Sequence, residues 1–172
     1  MTYPCDELGP YAYDPNVHVL WVPTVTGIGD VEAPTDTELT AGTELNDPYN
    51  LTDIIGWEVE TNVIDKMVYG PIITQLAGVQ RVADMQLIFA ADRVATPGAD
   101  VRRLIARDDS GFIVLLPSGS FTDHPLAPMN VYPVDVAQVS QMHGLRQDAS
   151  TVRVTFVLTG PVGESVFAEI TP

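Results

Sequence analysis

Apolar and polar positions alternate most clearly in a strand–helix–strand run over residues 81–119, and the rest of the chain is organised around this run. In its first part, residues 82–91, every second position is apolar and polar residues such as Asp84 stand between them. The apolar positions are Ala83, Met85, Leu87 and Phe89. A two-residue period predicts a strand that buries one face.

A helix is predicted next, over about residues 97–108. Thr96 is placed to cap it, and Pro97 occupies the first turn, where a missing N–H costs nothing. Apolar residues follow at helical spacing, at Val101, Leu104 and Ile105. Residues 108–111 end the predicted helix, and turn chemistry explains the Asp108–Asp109 pair better than a metal or catalytic site does.

Further strands are predicted at residues 17–24, 51–61, 112–116, 129–141, 151–158 and 162–170. The run 112–116 is apolar at every position, so both of its faces should be covered. Residues 62–80 predict a long, partly extended hairpin or loop. Thr35 followed by Glu38 has the capping-box spacing and predicts a single helical turn over residues 35–40.

The strand predicted at residues 51–61 has two distinct faces. Ile55, Trp57 and Val59 are expected to face inward. Ile54, Glu58 and Glu60 are expected to face outward, which makes the two glutamates an acidic stripe.

Seven or eight strands and one helix late in the chain indicate a mainly β protein. The expected architecture is an antiparallel β-sandwich or partly closed barrel of two sheets, with the helix of residues 97–108 on its flank. Residues 1–16, rich in Tyr and Pro among acids, are expected to form an extended arm. Residues 17–172 are expected to form a single domain.

The charge distribution is strongly asymmetric. The net charge is −15, and no Lys or Arg precedes Lys66. Such a chain is a poor candidate for gripping nucleic acid, because that affinity comes mostly from Lys and Arg at phosphates. Ordinary solubility explains the acids, and so does a surface that repels a passing polyanion.

The sequence contains few residues in patterns typical of catalytic, metal-binding or nucleotide-binding sites. Its histidines, His18, His124 and His143, are scattered, and none has a second ligand at metal spacing. One cysteine, Cys5, allows no intrachain disulfide, and neither a membrane helix nor a signal peptide is expected. No nucleotide loop or nucleophile elbow is present. We therefore expect no enzyme activity, no cofactor and no metal.

Several short segments, by their order and spacing over about residues 20–170, resemble the tail tube protein, or major tail protein, of long non-contractile-tailed bacteriophages, especially phages of actinobacteria. The segments are Val22-Pro23-Thr24-Val25, Ala33-Pro34-Thr35, Glu38-Leu39-Thr40-Ala41-Gly42-Thr43, Ile55-Gly56-Trp57, Thr61-Asn62-Val63-Ile64-Asp65, Asp100-Val101-Arg102-Arg103-Leu104, Gly111-Phe112-Ile113-Val114, Val131-Tyr132-Pro133-Val134 and Thr155-Phe156-Val157-Leu158-Thr159-Gly160. The arm at residues 1–16 is not part of this resemblance.

The resemblance implies a structural protein of the virion tail, made in the host cytoplasm. It implies hexameric rings that stack head to tail into a hollow tube, with the tape measure protein inside and with tail terminator and baseplate or tail-tip proteins as further partners. DNA would pass through the tube without being bound, and no membrane would be involved.

In such a tube, acids on polar strand faces would line the lumen. The residues predicted there are Asp53, Glu58, Glu60 and Asp84. Basic residues of the predicted helix would lie on the outer wall or at subunit seams, and these are Arg102, Arg103 and Arg107.

Two alternatives stay open. A tail terminator or head–tail joining protein of similar fold would form one ring and no filament. A carbohydrate-binding sandwich of the tail tip would need exposed aromatic residues on one sheet face. Trp21 and Trp57 share faces with aliphatic residues and are expected in the core.

Overall fold

The computed structural model describes residues 17–25, 27–47, 49–66, 74–82, 85–91, 100–123, 126–142 and 150–169, with backbone alone for 59–66 and 74–82. The predictions for residues 1–16, Asp84, Thr96, Pro97, His124 and His143 lie outside these ranges. The elements are β1 His18–Pro23, α1 Asp36–Thr40, β2 Thr43–Glu44, β3 Leu51–Ile55, β4 Val59–Lys66, β5 Thr74–Val82, β6 Gln86–Ala90, α2 Val101–Leu104, β7 Ser110–Leu116, β8 Met129–Met142, β9 Thr151–Leu158 and β10 Gly163–Val166.

The strands confirm a mainly β, antiparallel fold. Eight of them form one open sheet in the order β2-β1-β7-β8-β9-β6-β3, with β10 paired to β8, while β4 and β5 form a separate two-stranded hairpin. The large sheet is not closed into a barrel, and the hairpin forms a second, smaller sheet. Strand β8 continues for 14 residues and pairs with β7, β9 and β10.

The chain folds into two compact units, and the first comprises residues 1–48, 109–134 and 159–172. Strands β1 and β7 pair there over six positions, from His18 opposite Leu116 to Pro23 opposite Gly111. Its core cluster consists of Leu20, Val22, Ile28, Leu39, Val114, Leu116, Met129 and Val131. Both faces of β7 are covered from Ile113 onward, as the continuous apolar run predicts.

Helix α1 confirms the capping box. The Thr35 hydroxyl accepts from the Glu38 N–H at 3.3 Å, and the Glu38 carboxylate accepts from the Thr35 N–H at 2.8 Å. The same carboxylate also accepts from the Gly29 N–H at 2.9 Å. Glu38 therefore joins the helix to the loop that precedes it. The next residue, Leu39, is buried in the core.

The second unit comprises residues 49–108 and 135–158. Its strands β9, β6 and β3 lie side by side, and one face of them is buried. That face carries Met85, Leu87, Phe89, Val152, Val154 and Phe156. Trp57 packs on Phe156 at 5.6 Å between ring centroids, and its Nε1 donates to the Gln86 carbonyl. Trp57 and Trp21 are 6% and 2% exposed, which confirms them as core residues.

The helix predicted over residues 97–108 is much shorter in the structure. Helix α2 begins after Asp100, whose side chain caps the Arg102 N–H, and it ends at Leu104. Ile105 is already extended and fully buried. Asp108 has φ of 68° and donates its N–H to the Val136 carbonyl, which fixes this stretch on β8 and leaves no room for further helix.

The strand predicted over residues 51–61 is two strands. Gly56 has φ of 76°, a left-handed conformation that breaks the extended chain between β3 and β4. A β-bulge between Leu51 and Asp53 also shifts the alternation by one residue. The prediction that Ile55 faces inward is therefore wrong, since Ile55 is 40% exposed. The predicted hairpin at residues 62–80 is confirmed by the pairing of β4 with β5.

Candidate assembly surface

The side of β9, β6 and β3 that lies opposite their buried face carries polar and charged residues. Ile88 lies opposite Arg153 on one side and Asp53 on the other, so these three residues form one row across the strands. The next row joins Thr155, Gln86 and Ile55. We call this surface the polar face, and it comprises Asp53, Ile55, Gln86, Ile88, Arg153, Thr155 and Val157.

The polar face carries both signs of charge. Asp53 is exposed and Arg153 is half-buried. One strand, β6, lies between them, which puts their backbones about 10 Å apart at the usual strand spacing, and the structure shows no ion pair between the two side chains. The Nε atom of Arg153 is buried and has no hydrogen-bond partner in the structure. The sequence places Arg153 outward by alternation with Val152 and Val154, but nothing in it signals an unpaired nitrogen.

The predicted lumen acids do not lie together on one strand. Asp53 lies on the polar face, whereas Glu58 is exposed in the connection between β3 and β4. Glu60 lies in the separate hairpin, opposite Arg81. Glu58 precedes β4, the strand that holds Glu60, so the two glutamates do not lie on one strand as predicted. Their assignment to a lumen stays a prediction.

Of the three predicted outer-wall arginines, Arg102 is held within its own unit. Its Nε and Nη2 donate to the Asp100 carboxylate, and its Nη1 donates to Gln141 Oε1 at 2.6 Å. Hydrogen bonds from this guanidinium are the main reason why the pKa of Asp100 is lowered. Arg107 is 74% exposed at its side chain and lies 3.6 Å from the Asp108 carboxylate, while Arg103 is exposed. The Asp-x-Arg spacing hints at the ion pair, but the role of Gln141 depends on the fold.

The sequence profile of a family described as phage tail tube protein matches residues 10–169 of this chain. The chain belongs to the phage tail tube protein family. It is therefore a structural protein of the phage tail, as the resemblance implied. No curated protein matches it.

Among solved structures, this tail tube protein is similar to a chain in the cryo-EM structure of the anti-feeding prophage baseplate, described as 6-fold symmetrised. The match covers 90% of this chain and 97% of the other, with a TM-score of 0.55 and 9% sequence identity. At that identity the likeness shows the fold alone.

The edge strands of the sheet in this tail tube protein are the places where a further strand could pair. At the β2 end, backbone N–H and carbonyl groups at the start of β1 already have hydrogen-bond partners. The Asn46 side chain accepts from the Val19 N–H and donates to the Val17 carbonyl, and Leu45 donates its N–H to the Val19 carbonyl. At the other end lies β3, and within the described chain its outer side is paired with no strand.

A cleft, the possible metal ligands and the helices in the described part of the tail tube protein add no further candidate site. A cleft of about 130 Å³ in the first unit is lined partly by His18 and Glu44, whose Nδ1 and Oε1 atoms are in contact. Across the described ranges, His, Cys, Asp and Glu form no group of three or more that could hold a metal ion. In those same ranges, none of the helices has the length and apolar character needed to cross a membrane.

Proposed function

We propose that the protein assembles with copies of itself into stacked hexameric rings that form the hollow tail tube, through which DNA passes into the host. The observation that carries the proposal is the family match over residues 10–169, which includes every described strand. The similar baseplate chain belongs to an assembly described as 6-fold symmetrised, and this supports six subunits in a ring.

The charge of the chain supports passage of DNA without binding. A net charge of −15 gives a tube of many subunits a strongly negative wall, which repels phosphates. Asp53, Glu58, Glu60 and Asp84 are the proposed lumen residues. Arg103 and Arg107, both exposed, suit the outer wall or the seams between subunits.

The proposed partners are a tape measure protein in the lumen, a tail terminator at one end and baseplate proteins at the other. The protein would be made in the host cytoplasm and act in the virion as a structural component without catalytic activity. A broad hydrolase screen of the purified protein should show no turnover, and robust turnover would contradict this part of the proposal.

The baseplate neighbour favours one second candidate, a ring at the end of the tail that does not extend into a filament. Negative-stain electron microscopy of the purified protein separates the two. Long tubes with a central channel are the expected result, whereas single rings at every protein concentration would favour the second candidate.

A further inference from the structure

The outer edge of β3 offers a backbone position for pairing at Ile54. The Phe156 N–H donates to the Met85 carbonyl on the β9 side of β6, and the Ala90 N–H donates to the Asn50 carbonyl on the opposite side. Backbone groups of odd-numbered residues around β6 therefore point to β9, and those of even-numbered residues point to β3. Ile54 lies opposite Leu87, an odd residue, so its own N–H and carbonyl point away from β6.

That outward N–H is covered by a side chain. The Asp53 carboxylate accepts a hydrogen bond from the Ile54 N–H at 2.9 Å. The bulge lies directly beside it, and the Thr52 hydroxyl donates to the Ile88 carbonyl at 2.9 Å. A bulge and a charged side chain are two devices by which proteins keep edge strands from pairing with other chains.

The hydrogen bond by which Asp53 covers the Ile54 N–H is easily broken, unlike the hydrogen bonds at the β2 end of the sheet. There, the Asn46 amide and the Leu45 N–H hold the groups of β1 inside a half-buried to buried segment. Asp53 is exposed and makes a single hydrogen bond to its neighbour, so rotation of its side chain into water opens the edge at little cost. Ile55, 40% exposed beside it, then offers apolar area to an incoming strand.

We propose that the Asp53 carboxylate is a removable cap on the β3 edge, which slows strand addition by a second copy of this chain until the carboxylate swings away. This inference rests on the proposed function. In it, the Asp53 side chain delays the pairing of free subunits at the β3 edge. It also gives Asp53 a role in assembly that is separate from repulsion of DNA.

The test is the assembly rate of the purified full-length protein, followed by light scattering and by electron microscopy of the products. Asp53→Ala removes the cap and one negative charge. Asp123→Ala removes the same charge from an exposed turn of the first unit, and Asp53→Asn keeps an acceptor oxygen while losing the charge. D53A should assemble roughly three- to tenfold faster than D123A, the range that one exposed hydrogen bond supplies, and D53N should lie closer to D123A.

A second variant keeps the proposal testable if D53A folds poorly. Because the Ile54 N–H points away from β6, Ile54→Pro removes this outward donor while leaving the donors that face β6. I54P should remain folded by circular dichroism and should lose strand addition. Assembly of I54P at the wild-type rate would overturn the proposed pairing.

The outcomes separate this inference from the proposed function. Wild-type protein that forms neither rings nor tubes, with D53A equally inert, would refute the proposed function. Wild-type tubes combined with a D53A rate no higher than that of D123A would refute the cap alone. Wild-type monomers alongside assembling D53A would support the cap directly.

Discussion

Gly111 lies directly against the indole of Trp21. A Cβ atom at position 111 would stand 2.7 Å from Cη2 of Trp21 and 2.6 Å from the Val22 carbonyl oxygen, both closer than a side chain tolerates. The two strands that carry these residues are paired, with Pro23 opposite Gly111. The indole therefore occupies the space in which any other residue would place its side chain.

Gly111→Ala should lower the free energy of unfolding by about 1–3 kcal/mol, because a buried ring and a backbone carbonyl must both move. Urea denaturation followed by tryptophan fluorescence measures the change. Gly29→Ala is the matched control, since a Cβ there would meet only the Glu38 carboxylate at an ordinary 3.4 Å. Equal stability of the two variants would contradict the close contact.

Arg102→Ala should destabilise the protein by about 0.5–1 kcal/mol at low salt, because the bidentate pair with Asp100 and the bond to Gln141 are both lost. The loss should shrink as salt is raised, since the pair is partly exposed. Thermal unfolding at two salt concentrations measures both effects. Arg103→Ala removes a neighbouring exposed charge and should leave stability nearly unchanged, and a comparable loss in R103A would argue against the ion pair.

Glu38→Ala should destabilise the protein at neutral pH, and the difference from wild type should disappear in acid. Burial alone would raise the pKa of Glu38, but the bonds from the Thr35 and Gly29 backbone and the Thr35 side chain outweigh it and lower the pKa. A carboxyl whose pKa is lowered on folding stabilises the protein above its unfolded pKa of 4.5, and that stabilisation is lost as pH falls through the folded value.

Urea midpoints of wild type and E38A, measured from pH 7 down to pH 3, check this prediction. A gap of about 0.5–1.5 kcal/mol at pH 7 is expected from the lost hydrogen bonds. Glu32→Ala removes an exposed acid from the same loop and serves as the control. A gap between E38A and wild type that stays constant with pH would show that the carboxylate is not responsible.

Lysine at both Glu58 and Glu60 should leave tube assembly intact and impair genome passage, because cations in the lumen would hold phosphates. The measurement is the infectivity of phage particles that carry the variant, normalised to particle number by electron microscopy. Asp123→Lys is a control for added charge. Unchanged infectivity of the double variant would count against a lumen position for these glutamates.

The sequence predicts most of the strands because each strand shows its own alternation of apolar and polar residues. Strand β9 is observed at residues 151–158 as predicted, with Val152, Val154 and Phe156 buried. The capping box at Thr35 is equally local and equally visible. These features depend on residues that are neighbours in the chain.

The predictions are wrong where the backbone departs from the regular repeat of a strand or a helix. The bulge between Leu51 and Asp53 and the left-handed Gly56 shift the inward face, so Ile54 rather than Ile55 shares a row with buried Leu87. The helix predicted over residues 97–108 stops at Leu104 because a later strand takes the Asp108 N–H. The cap at Ile54 is hidden in the same way, since only the pairing of β6 shows which side of β3 is open.

An isolated β-bridge joins Thr35 to Glu169 and determines when the first unit can finish folding during synthesis. The Asp36 N–H donates to the Glu169 carbonyl, and the Glu169 N–H donates to the Pro34 carbonyl. The first unit thus draws on three stretches of chain, while the second lies between them in sequence. A nascent chain on the ribosome cannot close the first unit until residues 163–169 emerge, so the first unit is completed only after the whole of the second unit has been synthesised.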